Sequence, residues 1–372
     1  MSTPLFTKKK VISVYKSIEW KCLYNSADPL SIMAKKTSFY HWTDVLADKI
    51  LRVRGDKKKY ILESGITPSG MIHFGNFREV ITADLVRMAL KKRGKEVEFL
   101  YIWDDYDVLR KVPKNLPKQD MIKENLRKPV FKVPDPYGCH KSYAEHFEKV
   151  FEEESKLAGI ESTFVYSHEH YLKCEYAEEI KIALENTKKI KGILDEYRKE
   201  PLGNEWLPIF VFCEKCDRDD IKELDWKAGY EVSYKCACSH EDIIDYRKKG
   251  LVTLRWRVDW PMRWHHNKVD FETAGKDHFA AGGSVDTGLK IQDQIYKSLS
   301  PVGVSTKDFY EWIGFKGGKQ FASSSGNVLT VSEMVEVYEP EIVRYLFAGT
   351  RPNREFSISF DVDVLAIYEE YD

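Results

Sequence analysis

The spacing of hydrophobic residues over positions 59–93 predicts a strand, a sharp turn and a helix in succession. An apolar run at 60–62 is typical of a buried parallel strand. The residues after it favour a change of chain direction: Gly65, Pro68, Ser69 and Gly70. Apolar side chains then recur at helical spacing over 80–90, and Gly94 follows as a stop signal.

Predicted helices and strands alternate along the rest of the chain. The pattern predicts helices at 37–50, 139–158, 176–199, 286–298 and 331–338, and strands at 95–103, 163–166 and 307–314. In the first of these helices one face carries Trp42, Val45, Leu46 and Ile50. Trp256, Val258 and Trp260 alternate with polar residues, which predicts one more strand. This alternation of elements favours an α/β fold with a parallel sheet.

Composition narrows the class of protein. The chain has 372 residues, enough for two or three domains. Its 58 basic and 59 acidic residues give a formal net charge of −1, so a nucleic acid would have to meet a local basic patch. The sequence contains neither a membrane-span-length apolar run nor a signal-peptide core, and we expect a cytoplasmic protein and a monomer.

Four of the seven cysteines are grouped as a metal site requires. Cys213 and Cys216 form one close pair, and Cys236 and Cys238 form a second pair further along the chain. Two pairs of thiolates suit the tetrahedral geometry of a structural Zn²⁺. Because His240 lies two residues after Cys238, either of them can supply the fourth ligand.

Two polar loops are suited to binding phosphate. A helix that begins after a strand and a turn directs backbone N–H groups at one point, where His73-Phe74-Gly75-Asn76 stands. A second loop of small polar residues lies at 317–327, before another predicted helix. Asp104 and Asp105 directly follow a predicted strand, where open α/β sheets carry ligand groups. These features indicate a nucleotide site assembled from two halves of a split sheet.

Several sequence blocks in one order resemble the class I lysyl-tRNA synthetases found in archaea and some bacteria. The blocks are ESGITPSGMIHFGN, WDDYDVLRKVPKN, PDPYGCHKSYAEHF, VDWPMRW, GKDHFAAGGS and FASSSGNV. The first looks like the family's first signature, with Asn76 as its last residue. The last stands where the mobile second signature belongs. The resemblance runs from about residue 38 to residue 345.

The resemblance implies a Rossmann-type α/β catalytic domain split by a connective insertion with a zinc-ribbon-like element. The expected segments are an N-terminal extension (1–38), the first catalytic half (39–130), the insertion (131–250, with the zinc element at 201–245), the second catalytic half (251–330) and a truncated helical region (331–372). It also implies a lysine–tRNA ligase that uses ATP with Mg²⁺. Lysyl-adenylate would form first, and the lysyl group would pass to the 3′-terminal ribose of tRNA-Lys, met through its acceptor arm.

Matching the family's motifs to this chain implies the nucleotide-binding residues. His73 can donate to phosphate oxygens, Gly75 allows a close approach of the nucleotide, and Asn76 can hydrogen-bond to it. The implied catalytic residues are His73, Asn76, Lys319, Ser323 and Ser324. The implied ATP-binding residues are Pro68, His73, Gly75, Asn76, Ser323, Ser324, Ser325 and Asn327.

The resemblance also implies a lysine pocket. Gly65 and Thr67 would face the backbone of the amino acid. Asp104, Asp105 or Asp277 would neutralise its ε-ammonium group, because a desolvated cation left unpaired is costly. The remaining lining would be aromatic residues and a histidine: Trp256, Trp260, His278, Tyr310 and Phe315.

Two departures from the family pattern leave alternatives open. The second signature usually supplies lysines to the leaving pyrophosphate, whereas residues 323–325 are serines and Lys319 stands one residue early. The chain also stops soon after the catalytic half, without the helical domain that reads the anticodon. The alternatives to a lysine–tRNA ligase are a lysine-activating paralogue without tRNA-Lys charging and an inactive RNA-binding or regulatory homologue.

Overall fold

The computed structural model describes residues 40–304, 309–316 and 329–372. The α-helices within them are α1 (Trp42–Arg54), α2 (Phe74–Lys92), α3 (Gln119–Glu124), α4 (Tyr143–Leu157), α5 (Ser167–Leu172), α6 (Ala177–Glu185), α7 (Thr187–Asp195), α8 (Trp256–His266), α9 (Ser284–Ile291), α10 (Val331–Val335), α11 (Pro340–Gly349) and α12 (Asp363–Tyr371). The strands are β1 (Lys59–Ile66), β2 (Glu96–Trp103), β3 (Thr163–Tyr166), β4 (Ile209–Val211), β5 (Ile221–Asp225), β6 (Glu231–Cys236), β7 (Glu241–Asp245), β8 (Val252–Leu254), β9 (Phe271–Glu272), β10 (Ile313–Phe315) and β11 (Phe356–Ile358). The predicted extension at 1–38 lies outside the described residues. In the part of the chain that the structure describes, no helix is long and apolar enough to cross a membrane.

A four-stranded parallel sheet in the order β3–β2–β1–β9 forms the centre of the fold. β1 and β2 pair along their whole length and end with Ile66 opposite Trp103. β9 pairs with the opposite side of β1, and Val302 bridges to Phe271 beyond it. Because the chain leaves β1 in one direction and later returns on its other side, a cleft opens at the carboxyl ends of these strands.

The predicted strand–turn–helix unit is confirmed as β1, the following turn and α2. Tyr60 and Leu62 are fully buried in the sheet, as an apolar run in a parallel strand requires. α2 packs Phe74 and Phe77 into the same core. Gly94 has a φ of 74°, a conformation that glycine adopts without steric cost, and it follows the last turn of the helix.

The segment between β3 and β9 forms a separate unit with its own hydrophobic cluster. β4 pairs with β8, and β5, β6 and β7 form an antiparallel sheet. Val258 and Met262 of α8 belong to the same cluster as residues of these strands, including Val232 and Ile244. The insertion is therefore packed against the helix that leads back to the central sheet.

The C-terminal segment packs back onto α2. Phe347 of α11 lies 5.2 Å from Phe74 and 5.8 Å from Phe77, measured between ring centroids. Arg78 is 1% exposed, and its guanidinium donates hydrogen bonds to four backbone carbonyls: Glu311, Trp312, Arg351 and Arg354. These bonds attach residues 309–316 and the segment after α11 to α2.

The structure contradicts the strand predicted through Trp256, Val258 and Trp260. These residues lie on α8, and the strand before it, β8, spans only three residues. Tryptophans four residues apart share one face of a helix as readily as alternate residues share one face of a strand. Pro261 lies inside α8 and, having no N–H, weakens the helical pattern.

Smaller corrections concern element boundaries and faces. Val45 was expected on the buried face of α1 but is 53% exposed, because the helix buries Thr43, Ala47 and Ile50. The helix predicted at 176–199 is divided into α6 and α7 at Asn186. The strand predicted at 307–314 corresponds to the short strand β10, and residues 305–308 lie outside the described residues.

Candidate active site

His73 lies at the start of α2, where Asn76 N–H donates back to the carbonyl of His73 at 2.9 Å and the N–H of Gly75 has no partner within the helix. His73 is 8% exposed, and its Nδ1 has no hydrogen-bond partner among the described residues. Burial lowers the pKa of His73, so the ring is neutral at pH 7. Phe74 N–H donates to the carbonyl of Leu329 at 2.6 Å. This bond attaches the start of α2 to the segment that leads into α10.

The other nucleotide residues predicted in the described region also lie in this unit. Pro68 is in the turn and Gly75 is in the first turn of α2. Asn76 Oδ1 accepts a hydrogen bond from the backbone N–H of His73 at 3.4 Å. The predicted residues of the second loop lie outside the described residues: Lys319, Ser323, Ser324, Ser325 and Asn327.

Gly65 and Thr67 lie at the carboxyl end of β1. A Cβ on Gly65 would stand 2.5 Å from the carbonyl oxygen of Ile102, so the close approach of β2 requires glycine. The N–H of Gly65 donates to Glu79 Oε1 at 3.1 Å. Thr67 Oγ1 donates to Asp107 Oδ2 at 2.7 Å. The donor groups of Gly65 and Thr67 are therefore both bonded to carboxylates. Contact of these two residues with an amino acid stays a prediction.

Acidic side chains are crowded at the carboxyl ends of β1, β2 and β9 and on the adjacent helices. The six carboxylates that influence one another are Glu63, Glu79, Asp104, Asp107, Asp259 and Glu272. The guanidinium of Arg263, on α8, lies among these carboxyl groups. It pairs with Asp104, and its Nε lies 3.3 Å from Asp259 Oδ2. Arg263 offsets part of this charge, and those carboxyls of the group that are ionised give the cleft a negative potential.

The crowding changes the protonation of these carboxyls. Burial raises the pKa of Glu63 to about 7, and Asp104 adds to the effect. Burial, with the charge of Asp104, likewise raises the pKa of Asp107 to about 7, and burial raises that of Asp259 to about 6. A cation bound in the cleft would favour the ionised carboxylates, so cation binding and proton release are coupled.

Two of the predicted aromatic residues hold carboxylates of the cleft. Trp260 Nε1 donates to both oxygens of Glu272, at 3.0 and 3.1 Å, and Trp264 Nε1 donates to one of them. Tyr310 OH donates to Glu79 Oε2 at 2.8 Å. The prediction thus identified side chains that lie at the cleft, where they orient acidic groups.

His278 and Trp256 lie beside this cluster. The ring of His278 is 5.5 Å from Trp260 and 6.4 Å from Trp256 between centroids. Its Nδ1 lies 2.6 Å from Ser284 Oγ, which fixes the ring at the start of α9. Trp256 is 46% exposed at the beginning of α8. Their contact with a ligand stays a prediction.

The other predicted pocket residues are directed elsewhere. Asp105 is fully buried, but its carboxylate accepts the backbone N–H of His168 at 2.7 Å and pairs with that ring, on α5. Asp277 is exposed in a 3₁₀ turn. Phe315 packs on Phe360 at 5.6 Å between centroids. Among the three predicted counter-charges, the cleft therefore contains Asp104.

Sequence reasoning missed most of the acidic cleft: Glu63, Glu79, Asp107, Asp259, Arg263 and Glu272. Weak signals for them existed. Glu63 interrupts the apolar residues of a strand that is otherwise buried. Asp259 and Arg263 are four residues apart on a helix, the spacing of an ion pair.

The four predicted cysteines converge in the insertion. The sulfurs of Cys213 and Cys238 are 3.6 Å apart, as are those of Cys216 and Cys236, and all four lie within 4.8 Å of one another. Thiolates bound tetrahedrally to one Zn²⁺ at ~2.3 Å are about 3.8 Å apart, so the donor set fits a metal ion. Cys238 completes the group, whereas His240 lies with Glu214 and Asp242.

The strand order and the cleft at its switch point are those of nucleotide-binding α/β proteins. The family is more specific. Residues 40–372 match the model for tRNA synthetases class I (K), and the chain belongs to this family.

Curated relatives cover the same region. The chain is 49% identical over 337 residues to the lysine–tRNA ligase of Thermococcus kodakarensis, with 89% of this chain and 63% of that protein covered. It is 48% identical over 337 residues to the lysine–tRNA ligase of Pyrococcus horikoshii and 47% over 336 residues to that of Treponema pallidum, with the same coverage. The chain thus spans 63% of the length of these relatives.

Proposed function

We propose that this protein is a lysine–tRNA ligase. In the first step, a carboxylate oxygen of lysine attacks the α-phosphorus of ATP, and the bond to the bridging β-phosphate oxygen breaks to release pyrophosphate. In the second step, a hydroxyl of the 3′-terminal ribose of tRNA-Lys attacks the lysyl carbonyl and AMP leaves. The observation that carries the proposal is a cleft rich in carboxyl groups beside a helix start where the Nδ1 of His73 has no partner among the described residues.

The acidic cleft supports a cationic amino acid. Lysine carries an α-ammonium and an ε-ammonium group, and each requires a carboxylate when it leaves water. Among the acidic groups, Asp104 is already paired with Arg263, and both oxygens of Glu272 accept indole N–H groups. Glu79 also accepts hydrogen bonds from neutral donors, but it is half-buried whereas Glu272 is 3% exposed, and we assign the more accessible Glu79 as a counter-charge for lysine. The choice of lysine itself rests on the named relatives.

The helix start supports the nucleotide. The backbone N–H of Gly75 and the neutral ring of His73 can donate to phosphate oxygens without transferring a proton. Mg²⁺ bound with ATP would offset the negative charge of the phosphates. In-line displacement at phosphorus depends mainly on such positioning and charge neutralisation. We assign the pyrophosphate contacts to Lys319, Ser323, Ser324, Ser325 and Asn327.

We assign Zn²⁺ to the four cysteines of the insertion, as a structural ion. Four protein thiolates leave no open coordination position for a substrate. Cys213 and Cys236 belong to the hydrophobic cluster of the insertion, which also includes residues of α8. The ion would thereby support the helix that carries Arg263. The acceptor arm of the tRNA must reach the adenylate from outside this framework.

Two assays test the proposal. Lysine-dependent exchange of pyrophosphate into ATP, measured with a tRNA-Lys transcript present, should proceed, and the same transcript should become charged with lysine. Exchange without charging would favour the lysine-activating paralogue. Neither exchange nor charging would overturn the enzyme proposal and favour an RNA-binding homologue.

A further inference from the structure

A large cavity, here called the basic cavity, lies between the insertion and the start of α8. Its volume is about 930 Å³, at the upper end of the ~300–1,000 Å³ that ligand sites occupy. Residues of β4 and α8 line it, together with residues at the end of α7. Its wall contains two acidic residues, Glu205 and Asp219, and six cationic residues: Arg110, Arg127, Arg198, Lys222, Arg255 and Arg257. Because basic and acidic residues nearly balance over the whole chain, this wall is a local basic patch of the kind that a polyanion requires.

The arginines of the basic cavity are incompletely neutralised. Arg110 and Arg127 share one carboxylate, that of Asp219, at 3.6 and 2.8 Å. Arg255 donates its Nε to the carbonyl of Leu207 at 2.8 Å and forms no ion pair with any of the described residues. Burial and the positive charge of Arg110 lower the pKa of Arg255 to about 10, so its guanidinium is still charged at pH 7. A phosphate beside these guanidinium groups would offset their repulsion.

Aromatic rings lie against these guanidinium groups. The guanidinium of Arg255 lies 4.2 Å from the ring centroid of Phe210 and 5.7 Å from that of Trp206. The guanidinium of Arg110 lies 5.2 Å from the centroid of Phe210. Both rings are half-buried and line the cavity. Unpaired bases stack on aromatic rings and on guanidinium planes, and the positive charges attract the phosphates. The wall therefore suits a single strand of nucleic acid, whose base faces are free.

The basic cavity adjoins the acidic cleft at the beginning of α8. Trp256 lines the cavity, and its ring lies 6.4 Å from that of His278, beside the cleft. Arg257 Nη1 donates to the carbonyl of Gly282 at 2.9 Å, which attaches the cavity wall to the segment before α9. A strand held in the cavity would end beside the cleft, where the proposed reaction requires the 3′-terminal ribose.

We propose that the basic cavity binds the unpaired 3′-terminal nucleotides of tRNA, an inference that rests on the proposed ligase function. The phosphates lie against the arginines, and a base stacks on Trp206 and on the guanidinium of Arg255. Arg247 provides a matched comparison in the same insertion. Its guanidinium lies 4.3 Å from the ring of Tyr230, but it pairs with Asp245 and does not line the cavity.

Binding of two RNAs to the full chain tests this proposal. One is a tRNA-Lys transcript labelled with fluorescein at its 5′ end, and the other is the same transcript without its last four nucleotides. Fluorescence anisotropy at one salt concentration gives both affinities. The wild type should bind the full transcript about tenfold more tightly than the shortened one. Arg255→Gln should bind both RNAs with the wild-type affinity for the shortened one, whereas Arg247→Gln should behave as the wild type.

Three results of this experiment would overturn the proposal. They are equal affinities of the wild type for the two RNAs, a wild-type preference retained in Arg255→Gln, and an equal weakening of both RNAs in an Arg255→Gln protein with the circular dichroism of the wild type. If the wild type charges the full transcript in the separate assay, these results remove the assignment of the cavity and leave the ligase proposal intact. A wild type that binds neither RNA would overturn both.

Photocrosslinking of the wild type avoids any effect of a variant on folding. One of the last four nucleotides of the transcript is replaced by 4-thiouridine, the complex is irradiated, and the crosslinked peptides are identified by mass spectrometry. We expect crosslinks to residues 206–210 or 255–257, which line the basic cavity. Crosslinks confined to other segments would contradict the proposal.

Discussion

The two sides of the candidate active site have opposite electrostatics. The side formed by the turn and the first turn of α2 presents the backbone N–H of Gly75 and the neutral ring of His73, which suit an anion. The side formed by α8, the strand ends and Glu79 of the second turn of α2 presents carboxyl groups around Arg263, which suit a cation. The first side comes from one continuous segment, whereas the second combines residues from distant segments, such as Glu63 and Glu272. Joining a cationic amino acid to a nucleotide requires both environments side by side.

The largest effect should come from the anion side. His73→Ala removes a donor to the phosphates and should lower the rate constant of exchange about 10²–10³-fold, the usual cost of losing one donor to developing charge. The KM for lysine should change little, because the cleft is untouched. His170→Ala, a histidine paired with Glu175 on the protein surface, is the control and should be near wild type. A raised KM for lysine with an unchanged rate would show that the two sides are not separate.

The second effect should come from the cation side. Glu79→Gln keeps the shape of the side chain but removes its charge, and a charge-assisted hydrogen bond contributes about 1.5–3 kcal/mol. The KM for lysine should therefore rise about 10- to 150-fold while the KM for ATP is unchanged. Glu98→Gln is the matched control, since Glu98 pairs with Lys59 away from the cleft. An equal rise in both KM values would contradict the assignment of Glu79.

A smaller effect is expected from pH. Burial holds the pKa of Glu63 near 7 in the folded protein, above its ordinary value of 4.5. The folded state therefore binds more protons than the unfolded state between these values, and the free energy of unfolding should fall as pH rises through this window. A bound cation favours the ionised form of Glu63 and of its neighbour Asp107, so the affinity for lysine should increase as pH rises towards 7.

Calorimetric titration of lysine at several pH values measures this dependence. Glu63→Gln removes one of the groups that titrate near pH 7 and should make the curve less steep, while Asp107 continues to titrate. A wild-type affinity that is independent of pH between about 5.5 and 7.5 would contradict the coupling of proton release to cation binding.

The smallest effect on activity should come from the contact that attaches α2 to residues 309–316 and to the segment after α11. Arg78→Lys replaces a guanidinium that donates to four carbonyls with an ammonium that reaches fewer of them. Thermal unfolding should show a loss of about 2–3 kcal/mol, because buried carbonyls lose their donors. Both KM values should rise only a few-fold, since Tyr310 loosens without being removed. Wild-type stability would show that these bonds do not hold the C-terminal segment.

The side that the sequence predicted well is the local one. The strand, turn and helix at 59–93 rest on an apolar run, turn residues and helical spacing that lie next to one another in the chain. His73 was identified because it stands at the start of that helix. The group of four cysteines was also predicted from the sequence, because two close pairs of cysteines have the spacing of a metal site.

The acidic side was hidden for physical reasons. A glutamate in a sequence is most simply a solvated residue, and only packing reveals that Glu63 and Glu272 are buried. Asp104 and Asp105 were equivalent as neighbours after a strand, but successive side chains point to opposite faces, so only Asp104 enters the cleft. The sequence of α8 predicted a strand because tryptophans four residues apart share one face in a strand and in a helix alike.

The central claim is that the cleft selects an amino acid with a positive side chain. The direct measurement is calorimetric binding of lysine compared with norleucine, which has the same carbon chain without the ε-ammonium group. We predict that lysine binds and that norleucine binding is undetectable, since a site with buried polar groups rejects an analogue lacking the partner group by on the order of 10⁴-fold. Equal affinities for the two amino acids would contradict the account.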